Sequence, residues 1–283
     1  MSLLLRIMAA MGSRLRHTPL ARIPLLNRVH GRLAISLHKG DEVDVGPFRV
    51  RVDMRDRVIA KKIILYGAYE EREIELLCSL VRPGDRVMDV GANIGIYSLY
   101  LSRAVGPAGK VLAVEPDPDN LALLRANLEA NHCDNVIVLP FALGTVSGEA
   151  GLFQADDNRG NLSFADLGGT GRSVSVPVRR GEEVLEELAF EPRVAKIDVE
   201  GAEPQVISGL GRFKPQVMLF EFVPGHLRAL GEDPATFLDS LVSEGYTLRP
   251  VEPDGRGGVP GAASSILAAA EEPNANLNIV ATR

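Results

Sequence analysis

From Arg86 onward, hydrophobic and polar positions alternate regularly: short Val-rich runs are followed by stretches of helical spacing. Strands are predicted at residues 86–90, 111–115, 136–140, 194–199 and 216–221, with a last one at 278–281. Helices are predicted at 96–105 (closed by Gly106-Pro107), at 118–131 with proline in the first turn, around 204–210, and at 234–244. Upstream, the alternation at 43–45 and 48–52 about Gly46-Pro47 predicts a small β-hairpin. Residues 59–80 look helical, with a break near Tyr66-Gly67.

The predicted strands are short and apolar on both faces, and helical segments separate them. That pattern indicates βαβ units around a mostly parallel sheet, and right-handed crossovers place helices on both faces. The fold class is therefore α/β. Residues 144–180 break the rhythm. They are rich in Gly, Ser, Asn and Asp, with strand-like pieces at 150–154 and 174–178, and predict an insertion made of a β-ribbon and a mobile loop.

Composition narrows the class without redrawing this picture. The 283 residues are 46% hydrophobic and 24% charged, as in ordinary globular proteins, and no charge-free apolar run is long enough to cross a bilayer. Two cysteines, Cys78 and Cys133, are too few for a disulfide framework, which fits a reduced, cytoplasmic setting. The net charge of −6 gives no reason to expect nucleic-acid binding.

That charge is unevenly spread. Residues 1–40 carry Arg6, Arg14, Arg16, Arg22, Arg28, Arg32 and Lys39 and no acidic group. Arg6 interrupts what would be the apolar region of a signal peptide. Three readings of the segment stand: a solvated helix packed on the main domain, a grip on an acidic substrate, or a peripheral contact with an anionic membrane, placing the protein at the inner membrane face. On this basis residues 1–65 form a basic N-terminal extension with a helix and the hairpin, and residues 66–283 the main domain.

The first constellation with chemical content runs from Val87 to Gly95. Ligands of open α/β sheets bind beyond the carboxyl ends of the strands, where the strand order reverses. The predicted first strand ends there in a turn holding Asp89, Gly91, Ala92, Asn93 and Gly95. Gly91 lets the backbone approach a ligand closely, and the loop's amides point into the crevice. Glu115, followed by Pro116, ends the second strand, where two carboxylate oxygens match the vicinal diol of a ribose. Together they indicate an adenosine-containing cofactor.

A nicotinamide cofactor fits poorly, because Asn93 replaces the central glycine that admits a pyrophosphate. No tyrosine is followed four residues later by lysine, and no phosphate-binding loop, H-E-x-x-H or G-x-S-x-G motif is present. S-adenosyl-L-methionine survives this elimination, since its ribose-to-sulfonium linkage needs no phosphate cradle.

The stretches Asp89-Val-Gly-Ala-Asn-Ile-Gly95, Val114-Glu-Pro-Asp-Pro-Asp-Asn120 and Lys196-Ile-Asp-Val-Glu-Gly-Ala-Glu203 resemble those of the FkbM-type S-adenosylmethionine-dependent methyltransferases. Gly67-Ala-Tyr-Glu70 and residues 215–221 match the usual flanking segments. The resemblance implies a class I (Rossmann-like) methyltransferase fold with a seven-stranded sheet whose last strand is antiparallel. It implies O-methylation of a saccharide, glycolipid or secondary-metabolite acceptor. It also assigns Asp89, Gly91, Asn93 and Gly95 to the cofactor loop, Glu115 to the ribose, and the backbone at Phe141 and Ala142 to the adenine border.

Methyl transfer to an alcohol needs alignment of the reacting atoms and a group to take the proton. Lys196, Asp198 and Glu200 end the fourth parallel strand, and period-two alternation places them on one side while the strand stays extended. Asp198 is the first choice for contact with cofactor or acceptor hydroxyl, and Glu200 the second. An ion pair of these acids with Lys196 is the structural alternative. Glu221 closes the next strand, and His226 follows beyond it with an ordinary pKa suited to a base at neutral pH. Asn161 and Ser163 offer hydrogen bonds to a polyhydroxyl acceptor. Nothing in the spacing calls for a metal, and none is expected. A nicotinamide oxidoreductase and a non-catalytic cofactor-binding module stand as the alternative functions.

Overall fold

In a computed structural model, the described residues are 40–56, 59–155, 158–164, 173–252, 254–272 and 277–283. The expectations for residues 1–39, the membrane contact among them, lie outside the described residues. No helix among the described residues is long and apolar enough to cross a membrane.

A central sheet of seven strands dominates. They are β3 (Arg86–Val90), β4 (Lys110–Val114), β5 (Val136–Leu139), β10 (Val194–Ile197), β11 (Val217–Phe222), β12 (Thr247–Pro250) and β13 (Leu277–Thr282). Their order is β12-β13-β11-β10-β3-β4-β5. Only β13 runs against its neighbours, pairing antiparallel with both β11 and β12. This is the arrangement the family resemblance implies.

Alternation along the strands explains why both faces are covered. Val87, Val111, Ala113, Val194, Leu219 and Val280 pack into one core cluster. Met88, Val90, Leu112, Val114, Ala195 and Ile197 pack into a second. Successive strand residues point to opposite faces, so a parallel strand between two helical layers is apolar at nearly every position.

The first core is closed by α2 (Glu71–Leu80), α3 (Ile96–Val105) and α4 (Pro118–Ala130). The hairpin β1 (Glu42–Val45) and β2 (Phe48–Arg51) and helix α1 (Ile59–Tyr66) join it through Val45, Val50, Ile59 and Ile63. The boundary drawn at residue 65 therefore does not fall at a break in packing. Asn127 ties the two parts further. Its Oδ1 accepts from the Arg51 amide at 2.6 Å, and its Nδ2 donates to the carbonyls of Arg51 and Ile94 at 3.0 and 2.8 Å.

The second core is closed by α5 (Gly181–Glu187), α6 (Glu203–Gly209), α7 (Pro224–Ala229), α8 (Pro234–Ser243) and α9 (Ala263–Ala270). Within the break in the pattern at 144–180, the described residues form more than a ribbon. Strands β6 (Ala142–Gly144), β7 (Gly148–Ala155), β8 (Asn158–Ser163) and β9 (Ser173–Arg180) form a four-stranded sheet in the order β6-β9-β7-β8. Residues 158–163, expected in a loop, pair with β7 across a register shift at Gln154/Ala155. Backbone pairing along a template strand needs no β-forming side chains, which is why a Gly/Asn-rich segment gives no strand signal.

Candidate active site

The strand order reverses between β10 and β3, and a crevice of about 770 Å³, open to solvent, lies beyond their carboxyl ends. Gly91, Ala92, Asn93, Glu115, Pro116, Asp198 and Glu200, all expected from sequence, line it. Asp89 and Gly95 stand behind it and shape the loop.

Gly91 has φ +78°, and a Cβ there would lie 1.9 Å from the carbonyl oxygen of Asp198. Only glycine lets the turn after β3 pass that close to the end of β10. The amides of Gly91 and Ala92 both donate to the Val114 carbonyl at 3.0 Å, so the turn hangs from β4. Asn93 is also left-handed, with φ 52°, and its Oδ1 accepts from the Ile94 amide at 2.8 Å. Gly95, with φ +91°, precedes α3 and leaves room for Leu124.

Glu115 cross-links the two loops. Its Oε2 accepts from the Asn93 amide at 2.8 Å and its Oε1 from the Asp117 amide at 2.9 Å. Each oxygen keeps a second lone pair for a diol. Burial pushes the Glu115 pKa up to about 7, against the pull of those two amides. Asp117 in turn caps α4, accepting from the amides of Asp119 and Asn120.

Behind the loop lies a buried ion cluster. Asp89 and Lys196 are register partners on β3 and β10, so the sheet itself sets them side by side. Lys196 Nζ lies 3.7 Å from Asp89 Oδ1 and 3.2 Å from Asp198 Oδ2, donates to the Gly91 carbonyl at 3.1 Å, and sits over the Tyr97 ring. Burial alone would lower the Lys196 pKa, but Asp198, Asp89 and Glu70 outweigh it and hold the ammonium charged. Asp89, fully buried, accepts from Ser98 Oγ at 2.6 Å, and burial raises its pKa. The ion pair weighed as an alternative for the strand-end acids is thus present at Asp198.

The extended path assumed for Lys196, Asp198 and Glu200 ends early. Strand β10 stops at Ile197, and Glu200 is left-handed, with φ 54°. The chain turns because Glu203, buried at the start of α6, accepts from the Val199 and Gly201 amides at 3.0 and 3.3 Å through Oε1. Burial raises the Glu203 pKa to about 7.

The same turn carries Glu200 to His226. His226 Nδ1 lies 3.3 Å from Glu200 Oε2, and contact with that carboxylate raises the imidazole pKa. Glu221, in β11, joins them: ligand-capable atoms of Glu200, Glu221 and His226 all lie within 4.8 Å of one another. Burial, then the charges of Asp198, Glu200, Glu203 and Glu70, push the Glu221 pKa up to about 9.

Other expected residues lie elsewhere. Phe141 and Ala142 do not line the crevice: the Phe141 ring lies under the Arg179 guanidinium and Ala142 is buried in β6. Asn161 and Ser163 fall on β8, and their side chains lie outside the described residues. Sequence reasoning missed Tyr69, Tyr97, Asn120, Leu152 and Phe164 in the lining. Leu152 reaches it from the inserted sheet and Phe164 from just past the end of β8, and no local pattern marks them. Tyr69 adjoins Glu70, a left-handed residue (φ 44°) whose Oε2 accepts from Tyr97 Oη at 3.1 Å. The Gly67–Glu70 match was the available signal.

A family model described as "Methyltransferase FkbM domain" matches residues 89–248, which hold the cofactor loop, Glu115 and the Asp198–His226 group. The chain belongs to this FkbM methyltransferase family. Three curated relatives are similar to this FkbM-family chain. Methyltransferase 1 of Beauveria bassiana is 30% identical over 144 residues, 44% of this chain and 57% of the relative. Hexuronic acid methyltransferase AglP of Haloferax volcanii is 30% identical over 142 residues, 50% of this chain and 56% of the relative. 31-O-demethyl-FK506 methyltransferase FkbM of Streptomyces tacrolimicus is 30% identical over 161 residues, 46% of this chain and 61% of the relative. The chain spans less than two thirds of the length of each of them.

Proposed function

We propose that this FkbM-family protein is an S-adenosyl-L-methionine-dependent O-methyltransferase acting on a hydroxyl of a polyhydroxylated small molecule: a saccharide, a glycolipid or a secondary metabolite. The observation that carries the reading is the crevice at the β10/β3 switch, where the Gly91–Asn93 turn and the buried Glu115 are locked together by the Asn93 amide. The residues present fit the cofactor. Glu115 keeps lone pairs for the ribose diol, the absent Cβ of Gly91 leaves the turn open, and carboxylates at the β10 end face a cationic sulfonium. The names of two relatives, a hexuronic acid methyltransferase and a 31-O-demethyl-FK506 methyltransferase, support an oxygen acceptor on a small molecule.

When bound, the cofactor supplies an electrophilic methyl group on positive sulfur. The protein's own part is alignment and proton management. Lys196 holds Asp198 by Oδ2 at 3.2 Å, which leaves Oδ1 for an incoming hydroxyl. Asp198 would take the proton of that hydroxyl at Oδ1 as the acceptor oxygen receives the methyl group. Glu200 lines the crevice at the β10 end, with Glu221 and His226 grouped behind it.

Calorimetric titration of the full chain with S-adenosylmethionine and, separately, NAD tests the cofactor. Saturable binding of the first alone is expected, and binding of NAD alone would overturn the reading. Transfer of labelled methyl to a panel of uronic acids, glycolipids and polyols then tests the acceptor. Cofactor binding with no transfer to any alcohol would leave a binding module in its place.

A further inference from the structure

We infer that Glu200, Glu221 and His226 form a divalent-cation site at the acceptor end of the crevice, of the kind that takes Mn²⁺. The site itself stands on geometry, and its role in catalysis rests on the methyl-transfer reading above.

Three separate elements deliver the ligands. Glu200 comes from the left-handed turn after β10, Glu221 from β11, and His226 from the first turn of α7 behind Pro224. Gly201, with φ +102°, lets the turn press on α7: a Cβ there would lie 2.8 Å from the backbone carbon and Cβ of His226. Ligand atoms within 4.8 Å of one another lie close to the widest spread, about 4.6 Å, that two bonds of about 2.3 Å to a single ion allow.

Two further observations point to a cation there. His226 Nδ1 is buried against Glu200 Oε2 at 3.3 Å, so two of the candidate ligand atoms already face each other. Behind the cluster, Glu203 is 1% exposed and its Oε2 has no hydrogen-bond partner.

The ligand types set the metal class. Two carboxylates favour a hard cation, and one imidazole moves the preference toward the borderline first-row ions. Three protein ligands leave positions for water and for acceptor oxygens, so a vicinal diol or an α-hydroxy acid can chelate. Coordination lowers the hydroxyl pKa. The bound hydroxyl then loses its proton to Asp198, its oxygen forms the bond to the methyl carbon, and the carbon–sulfur bond breaks with its electron pair on sulfur. The cation is the specificity element: it selects acceptors with two adjacent oxygens over isolated alcohols.

The test uses Mn²⁺ alone on the chelator-treated full chain, followed by electron paramagnetic resonance of free ion and by calorimetry. Binding of one ion per chain is expected. Glu221→Gln and His226→Ala should each weaken it by at least about tenfold, with S-adenosylmethionine binding retained as the check on folding. His226→Gln, which keeps more bulk, serves as the second variant at that position. Absence of uptake at millimolar Mn²⁺, or uptake that none of these variants changes, overturns the site. If Mn²⁺ binds as described and S-adenosylmethionine does not, the methyl-transfer reading fails while the metal site stands.

Discussion

Glu115 is both a structural strut and the proposed ribose ligand, and its buried position ties both roles to pH. Its pKa in the folded protein is about 7, above the ordinary 4.5. A raised pKa means that its contribution to stability is full below about pH 4.5 and is lost as pH rises through about 7. Ligand binding has the opposite sign, because the ionised carboxylate is the better acceptor for ribose hydroxyls. S-adenosylmethionine affinity, measured calorimetrically, should therefore tighten from pH 6 to pH 8 by up to about tenfold, the rise in ionised fraction of a group with a pKa of about 7 over that range. Glu115→Gln should flatten that profile, and an unchanged profile would disconnect Glu115 from the ligand. At Asp198 the expectation is kinetic. Asp198→Asn keeps the shape but not the proton acceptor, so kcat should fall by about two to four orders of magnitude while the cofactor still binds. Near-normal turnover would leave Asp198 a partner of Lys196 only. The types of these residues were legible in the chain, but the raised pKa values were not, since desolvation depends on what packs around a carboxyl.

At the level of elements, the turn between β3 and α3 decides the site. Gly91→Ala forces a methyl against the Asp198 carbonyl at a left-handed backbone position. The strain and overpacking together should cost about 2–4 kcal/mol. Thermal unfolding should show this as a melting point lower by several degrees, with cofactor binding lost. A variant of wild-type stability would show that the two strand ends can separate freely. The βαβ elements were legible because a strand covered on both faces and a helix covered on one leave different periodicities. Other elements left no such trace. Strand β8 pairs through its backbone, and α9, Ala-rich and beside a Gly/Pro/Ala stretch, shows no clear polar face. The extended path assumed through Glu200 failed because Glu203, a residue of the next helix, draws the turn closed.

Across the whole molecule, charge and packing divide the chain differently. The first 40 residues hold seven basic and no acidic groups, yet the hairpin and α1 that follow share one core with the sheet. Among the described residues, the crevice lining begins at Ile59. Deleting residues 1–39 should therefore leave the S-adenosylmethionine dissociation constant within about twofold, well under the 1.4 kcal/mol of a tenfold change. A loss beyond tenfold would place that segment in the site. Salt-sensitive adsorption of the full chain to anionic vesicles, absent after the deletion, is the outcome expected of the membrane-contact reading. Adsorption that survives the deletion would count against it.

The chain by itself determined the parallel α/β architecture, the glycine turn and the acid that follows the second strand. Each is a local requirement: a periodicity, a left-handed backbone, a strand-end carboxyl at a set distance along the sequence. Only the tertiary structure decided that Lys196 would neutralise Asp89 and Asp198, that Leu152 and Phe164 would help to line the crevice, and that Glu200, Glu221 and His226 would meet. Those contacts join residues from different elements, and their distances depend on how the strand ends and turns pack together.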